Sequence, residues 1–339
     1  MFDSERWAAY HPGNTVRETV MPTQSRIKRH HNSTLDALHA DLADAIGRRT
    51  VGEEDRATAI GNLALFRREA LAEPCACVVE PSIVLVVQGA KQLLIGDHAY
   101  TYDTGRFVLN SLDLPAKSQV LEASADQPCL GFVFKLDLRV MAELISQTRL
   151  PAPRQSACDA STAVGTITPA LLEPFTRLFA LLDEPADIAV LAPLIEREIH
   201  YRLLKSDLAA RLWQIASVGS QSQRIARAVD WLKANFAQPL HTAELAAHVQ
   251  MSSSSLHHYF RQLTTMSPLQ YQKWLRLSEA KRLMLNDNQD AASAAFHVGY
   301  ESPSQFSREY SRLFGAPPKR DIQAMRQAGE VSTTASPPA

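Results

Sequence analysis

Residues 252–261 read SSSSLHHYFR and residues 302–311 read SPSQFSREYS. In both, hydroxyl, amide, imidazole and guanidinium groups alternate with apolar residues spaced by four and three: Leu256, Phe260 and Leu263, then Phe306, Tyr310 and Leu313. On a helix that spacing turns the apolar set inward, so Ser254, His257, His258 and Arg261 face outward, as do Ser304, Ser307, Arg308 and Ser311. Such groups can bond base edges in a DNA major groove, while arginine and helix N-termini hold phosphates. A run of four serines on its own is usually a solvated loop.

The flanking residues decide between helix and linker. Ser302, Pro303 and Gln305 have the order of an N-cap, an N1 proline and an N3 glutamine, and Ser252 stands at the equivalent cap position. The two stretches also belong to a longer repeat. LAAHVQMSSSSLHHYFRQLTTMSP (245–268) resembles AAFHVGYESPSQFSREYSRLFGAPP (294–318), with Ala246 matching Ala295, Val249 matching Val298 and Pro268 matching Pro318. Each copy reads as a short helix, a tight turn and a second helix, the layout that puts the second helix's N-terminal turns into a groove. Between them PLQYQKWLRLSEAKRLMLN (268–286) has no glycine or internal proline, which predicts one rigid helix roughly 28 Å long. Two reading heads on such a spacer stand near the ~34 Å repeat of the double helix.

These elements need a scaffold, and the chain is long enough for one. With 339 residues, 45% apolar and 21% charged, two globular domains are expected and wholesale disorder is excluded. The net charge of −1 is unevenly spread: residues 221–327 hold 13 Lys and Arg against 8 Asp and Glu, so the C-terminal third is basic and the rest acidic. No run of eighteen apolar residues and no basic-then-apolar leader is present, so a soluble cytoplasmic protein without membrane contact is expected.

Residues 1–33 lack periodicity and are assigned to a mobile extension; a short amphipathic helix is predicted over 35–46. Eight short β-rich runs between 63 and 136, punctuated by Gly89, Gly96-Asp97 and Asp103-Thr-Gly105, predict an antiparallel barrel or sandwich. Helices follow at 138–148, 168–183 and 190–216, separated by a loop at 149–168. Ile188, Leu191, Leu194, Ile195, Ile199, Leu203 and Leu204 can line one side of a helix, for burial on the barrel or against a second subunit. The fold class is thus α+β, with a sensing and dimerising region over 34–216 (barrel 63–137, helices 138–216), an all-α reader over 217–327 and a disordered tail over 328–339.

The signature GYESPSQFSREYSRLFGAPP (299–318) makes residues 222–326 resemble the double helix-turn-helix domain of AraC/XylS-type bacterial regulators. Residues 63–137, especially VVEPSIVLVVQGAKQLLIGDHAYTYDTGRFVLNSLDLP, resemble the cupin-like N-terminal domain of one AraC-type subgroup. The resemblance implies that Ser253, Ser254, His257 and His258, then Pro303, Ser304, Gln305, Ser307 and Arg308, face DNA. It further implies a double-stranded operator as partner, RNA polymerase if the protein activates, and a homodimer. Two departures stand out: Asp321-Ile322 replaces the usual Tyr-Arg after the paired prolines, and Ala291 and Ala294 replace isoleucines that open the second unit.

Cupin barrels can also be metal enzymes. Within 63–136 the only histidine is His98, which cannot build a two-histidine, one-carboxylate iron site, and no G-x-S-x-G, phosphate-binding glycine loop or H-E-x-x-H occurs. No metal and no cofactor are therefore expected, and the barrel is read as a pocket for a small organic effector. A thiol sensor of oxidants or electrophiles built on Cys75, Cys77 and Cys129 is the variant; it requires an accessible thiol of lowered pKa. A metal-dependent cupin enzyme fused to a DNA reader is the third reading.

Overall fold

The computed structural model describes residues 23–147, 160–217 and 219–334. Most of the first 33 residues assigned to an extension, the end of the tail and most of the 149–168 loop lie outside the described residues.

Ten strands form two antiparallel sheets. They are β1 (Asp55–Ala57), β2 (Leu63–Arg68), β3 (Ala72–Val79), β4 (Ser82–Gln88), β5 (Ala90–Ile95), β6 (His98–Tyr102), β7 (Arg106–Asn110), β8 (Leu114–Glu122), β9 (Cys129–Lys135) and β10 (Thr162–Thr166). The first sheet runs β1-β2-β9-β4-β7-β10 and the second β3-β8-β5-β6. All eight predicted strands are present. The structure adds β1 and also β10, which lies in the segment read as loop: TAVGT is too short and too small-sided to show a period, and it gains its place by pairing with β7.

Twelve helices complete the described chain: α1 (Thr23–Arg49), α2 (Leu138–Gln147), α3 (Pro169–Ala180), α4 (Pro185–Leu203), α5 (Ala209–Ala216), α6 (Gln221–Asn235), α7 (Thr242–His248), α8 (Ser253–Thr264), α9 (Pro268–Asn286), α10 (Ala291–His297), α11 (Pro303–Phe314) and α12 (Pro318–Thr334). α1 starts well before the predicted 35, so residues 23–33 have helical backbone, and α12 carries helical backbone to Thr334 where a disordered tail was expected. The single helix expected over 190–216 is broken by a turn at 204–208 into α4 and α5. Its stripe divides accordingly: Ile199, Leu203 and Leu204 are buried, whereas Leu191 and Leu194 remain exposed beside Val190.

Three apolar clusters hold these elements. Alternation along the first sheet sends Leu85, Phe107, Phe132 and Phe134 to its outer face, where α1, α3, α4 and α5 cover them; the Phe132 and Phe175 rings lie 4.8 Å apart. The opposite face, with Val86 and Val108, meets Leu93, Ile95 and Val120 of the second sheet. That cluster continues without a break into the first helical unit, through Ile225, Leu245, Phe260 and Tyr271. The second unit has its own core, including Leu283, Ala294, Phe306 and Tyr310.

Candidate nucleic-acid interface

The serine run does open a helix. Ser252 takes extended backbone and its hydroxyl accepts the Ser255 N–H at 3.2 Å, satisfying one of the donors that a helix start leaves unpaired. Leu256, Phe260 and Leu263 are buried, and α8 ends on Thr265 in the left-handed region, whose N–H returns to the Arg261 carbonyl at 2.9 Å. What remains outside is one face carrying Ser253, Ser254, His257, His258 and Arg261, all exposed.

The second copy repeats the construction. Ser302 caps α11 by accepting the Gln305 N–H, Pro303 fills the first turn where no N–H is needed, and Phe306 and Tyr310 are buried. Ser304, Gln305 and Arg308 are exposed; Pro303 and Ser307 are half-covered. Leu313 is a correction: expected inward, it is 43% exposed, because it borders an open cleft rather than the second core. Preceding each of these two helices is the same turn, with Gln250 at φ 56° and Gly299 at φ 87°, and with Met251 and Tyr300 donating their N–H to the carbonyls of Ala246 and Ala295.

Side chains on the two faces differ in freedom. Arg308 and His257 make no hydrogen bond or ion pair among the described residues. Gln305 is tied at 3.2 Å to Glu309, which also accepts from Lys273 at 2.9 Å and from the Tyr300 hydroxyl at 2.8 Å. Burial alone would raise the Glu309 carboxyl, yet these donors hold it below its ordinary value. Lys273 and Arg312, with Gln270, Thr265 and Trp274, line a cleft of about 460 Å³ between the two units. None of these was singled out from sequence, although Gln270 and Lys273 stand three apart on the spacer helix, which was legible.

The departures in the second unit prove well accommodated. Asp321 accepts the Tyr310 hydroxyl at 2.7 Å and pairs with Lys281 at 2.9 Å, Ile322 is buried in the second core, and Ala294 is fully buried. Arg276 binds the units to each other: its guanidinium donates to the carbonyls of Phe236, Gln238 and Gly299 at 2.7, 2.9 and 2.9 Å.

Two known families match parts of this chain. Residues 59–211 match the AraC-type transcriptional regulator N-terminus, and residues 245–323 match a helix-turn-helix domain. The chain belongs to the AraC-type transcriptional regulators. This AraC-type chain is 28% identical over 160 residues to the HTH-type transcriptional regulator ArgR of Pseudomonas aeruginosa, covering 47% of the chain and 49% of that protein. It is 31% identical over 105 residues to the HTH-type transcriptional activator RhaS of Klebsiella pneumoniae, covering 31% of the chain and 37% of that protein. The chain thus aligns with about half or less of these relatives. Its fold is that of apo ToxT from Vibrio cholerae strain SCE256, at TM-score 0.53 and 11% identity, over 77% of this chain and 97% of ToxT. A second ToxT structure, at TM-score 0.50 and 12% identity over 77% of this chain and 93% of ToxT, is bound to an unsaturated fatty acid.

In the AraC-type barrel the thiols sit unevenly. Cys75 is exposed, Cys77 half-buried and Cys129 buried, and burial pushes both the Cys77 and the Cys129 thiol up, opposite to what a reactive thiolate needs. His98 is exposed, and among the described residues no group of three or more His, Cys, Asp or Glu is placed to hold a metal. No helix among the described residues is long and apolar enough to cross a membrane.

Proposed function

We propose that this chain is a sequence-specific DNA-binding regulator of transcription in which α8 and α11 enter successive major grooves. Ser253, Ser254, His257 and His258 of the first helix, and Pro303, Ser304, Gln305, Ser307 and Arg308 of the second, form the contact faces. The observation that carries the reading is the duplication itself: two capped helices, each with a buried apolar side and an exposed polar side, joined by one rigid spacer. A small organic effector bound by the N-terminal barrel sets the activity, a reading supported by the ligand in the ToxT structure of the same fold. Because the barrel shares a continuous core with the first unit, a ligand that prefers one arrangement of that core biases DNA binding by the same free energy.

The chain acts as a cytoplasmic homodimer, with RNA polymerase as a further partner where it activates. The exposed apolar residues Val190, Leu191 and Leu194 on α4 support the dimer. Footprinting on the DNA flanking its own coding sequence tests the function: protection of two adjacent groove segments per protomer is expected, and uniform, sequence-indifferent protection contradicts it.

A further inference from the structure

Two helices of the C-terminal region open on the same order of residues and use their glutamine differently. α9 is entered through Ser267-Pro268-Leu269-Gln270 and α11 through Ser302-Pro303-Ser304-Gln305. In α9 the glutamine closes a capping box: its Oε1 accepts the Ser267 N–H at 2.8 Å while the Ser267 hydroxyl accepts the Gln270 N–H. In α11 the serine still caps, but the glutamine turns the other way and its Nε2 donates to Glu309 Oε1 at 3.2 Å. The difference follows from the residue four positions on, Trp274 in α9 and Glu309 in α11, because side chains four apart share a helix face.

Glu309 is an anchored acceptor. Its Oε1 also accepts from Lys273 of α9 at 2.9 Å, and its Oε2 accepts the Tyr300 hydroxyl at 2.8 Å. Tyr300 is itself fixed: it is buried, its ring lies 5.4 Å from that of Phe306, and the Arg276 guanidinium carbon stands 5.8 Å from its centroid. A carboxylate only accepts hydrogen bonds, so it determines which end of the Gln305 amide faces it, Nε2 toward Glu309 and Oε1 away. Among the described residues Oε1 and the second Nε2 hydrogen have no partner, on a side chain that is exposed at the third position of α11.

An amide held this way presents one acceptor beside one donor. In the major groove adenine is the base whose edge matches it, with its N6 amino group donating to Oε1 and its N7 accepting from Nε2. Guanine shows two acceptors, N7 and O6, so it would meet a single donor and set one of its oxygen or nitrogen lone pairs against Oε1. Thymine and cytosine each satisfy only one of the two groups. The first copy holds nothing comparable, since the offset of 50 puts Ser255 and Tyr259 where α11 has Gln305 and Glu309.

We propose that Glu309 is a positioning residue that turns the Gln305 amide for adenine, making one A·T pair under the N-terminal turn of α11 a fixed letter of the operator. The inference rests on the DNA-contact face proposed above and gives one residue of that face its base. Without Glu309 the amide is free to turn over, or to fold back into a capping box as Gln270 does. Held by Glu309, it has lost that freedom before DNA arrives, so less is lost on binding.

The test measures the full chain by fluorescence anisotropy on the footprinted operator and on every single-base-pair variant of it. Gln305→Ala should erase the preference at one base pair, and in wild type that pair should be A·T, favoured over G·C about fivefold or more. Glu309→Ala and Glu309→Gln should each shrink that same preference about two- to tenfold, the freedom of one long side chain, and leave the preferences at every other pair as in wild type. Glu309→Gln keeps an acceptor for Tyr300 and Lys273, so it should unfold close to the wild-type temperature. With Gln305 already alanine, the Glu309 substitutions should alter no preference. If Gln305→Ala instead loses a preference for another base pair, or if both Glu309 variants keep the full A·T preference or weaken all duplexes alike, the proposal is overturned and α11 remains a DNA-contact helix. Gln305→Ala with every preference intact overturns it and removes Gln305 from the face. A wild type without base preference anywhere overturns the contact-face reading itself.

Discussion

The Tyr271 hydroxyl donates to the backbone carbonyl of Asp113 at 2.8 Å, joining the spacer helix of the DNA reader to the loop between β7 and β8. The same aspartate, through its carboxylate, pairs with Lys233 of α6 at 2.9 Å. One loop residue thus fixes two helices of the first unit, at a bond that is buried on both sides. Nearby, a side chain added at Gly96 would come within 3.1 Å of Thr265, so the end of α8 also lies against the barrel. The second unit, with its separate core, follows the first through α9.

Tyr271→Phe keeps the packing and deletes the hydroxyl, leaving the Asp113 carbonyl without this donor. A loss of about 1–2 kcal/mol in stability is expected from thermal unfolding. A midpoint identical to wild type would mean that the bond does not contribute to holding the domains together.

Gly299→Ala should be more damaging. The residue sits at φ 87°, and a Cβ there would approach the Ala237 carbonyl oxygen to 2.0 Å, inside the turn that Arg276 holds. Left-handed strain and the clash together should exceed about 2 kcal/mol. Operator affinity should fall with stability, because this turn sets the angle of α11; a variant with wild-type stability and DNA binding would contradict that placement.

These relationships were not all equally visible beforehand. The reading helices were legible because cap, proline and apolar period agree at Ser302, Pro303 and Phe306, and because the pattern occurs twice. Eight strands were legible from alternation. β10 was not, since pairing with β7 rather than its own residues makes it a strand, and Leu313 faced the wrong way because periodicity cannot see a cleft between two units. Asp113 and Arg276 were also invisible: their partners lie tens to more than a hundred residues away, and a sequence pattern reports neighbours along an element, not across a fold.

His200 should make stability depend on pH. It is buried, its Nδ1 donates to the Glu196 carbonyl at 2.6 Å and its Nε2 accepts the Asp137 N–H at 2.9 Å, a neutral ring with both nitrogens used. Burial lowers its pKa below 6.5, so the unfolded chain binds the proton first. Its contribution is complete above about pH 6.5 and is lost as pH falls toward the folded-state value. Unfolding midpoints should therefore drop more between pH 7.5 and 5.5 in wild type than in His200→Gln, with the buried His39 accounting for a part common to both. Equal drops would remove His200 from the explanation.

The α4 patch predicts assembly. Val190→Asp with Leu194→Asp should convert a dimer into a monomer in sedimentation at micromolar concentration, without loss of helix content, since both side chains are exposed in the single chain. A wild type that sediments as a monomer throughout would leave the patch without this role.

Whether the exposed faces of α8 and α11 read DNA is decided by fluorescence anisotropy of a footprinted operator, measured beside a scrambled duplex at one salt concentration. His257→Ala and Arg308→Ala should each cost about 1–3 kcal/mol in operator binding, and the double variant should bind operator and scrambled duplex nearly alike while unfolding at the wild-type temperature. A double variant that discriminates between the two duplexes as well as wild type does would show that these faces are not what the protein reads with.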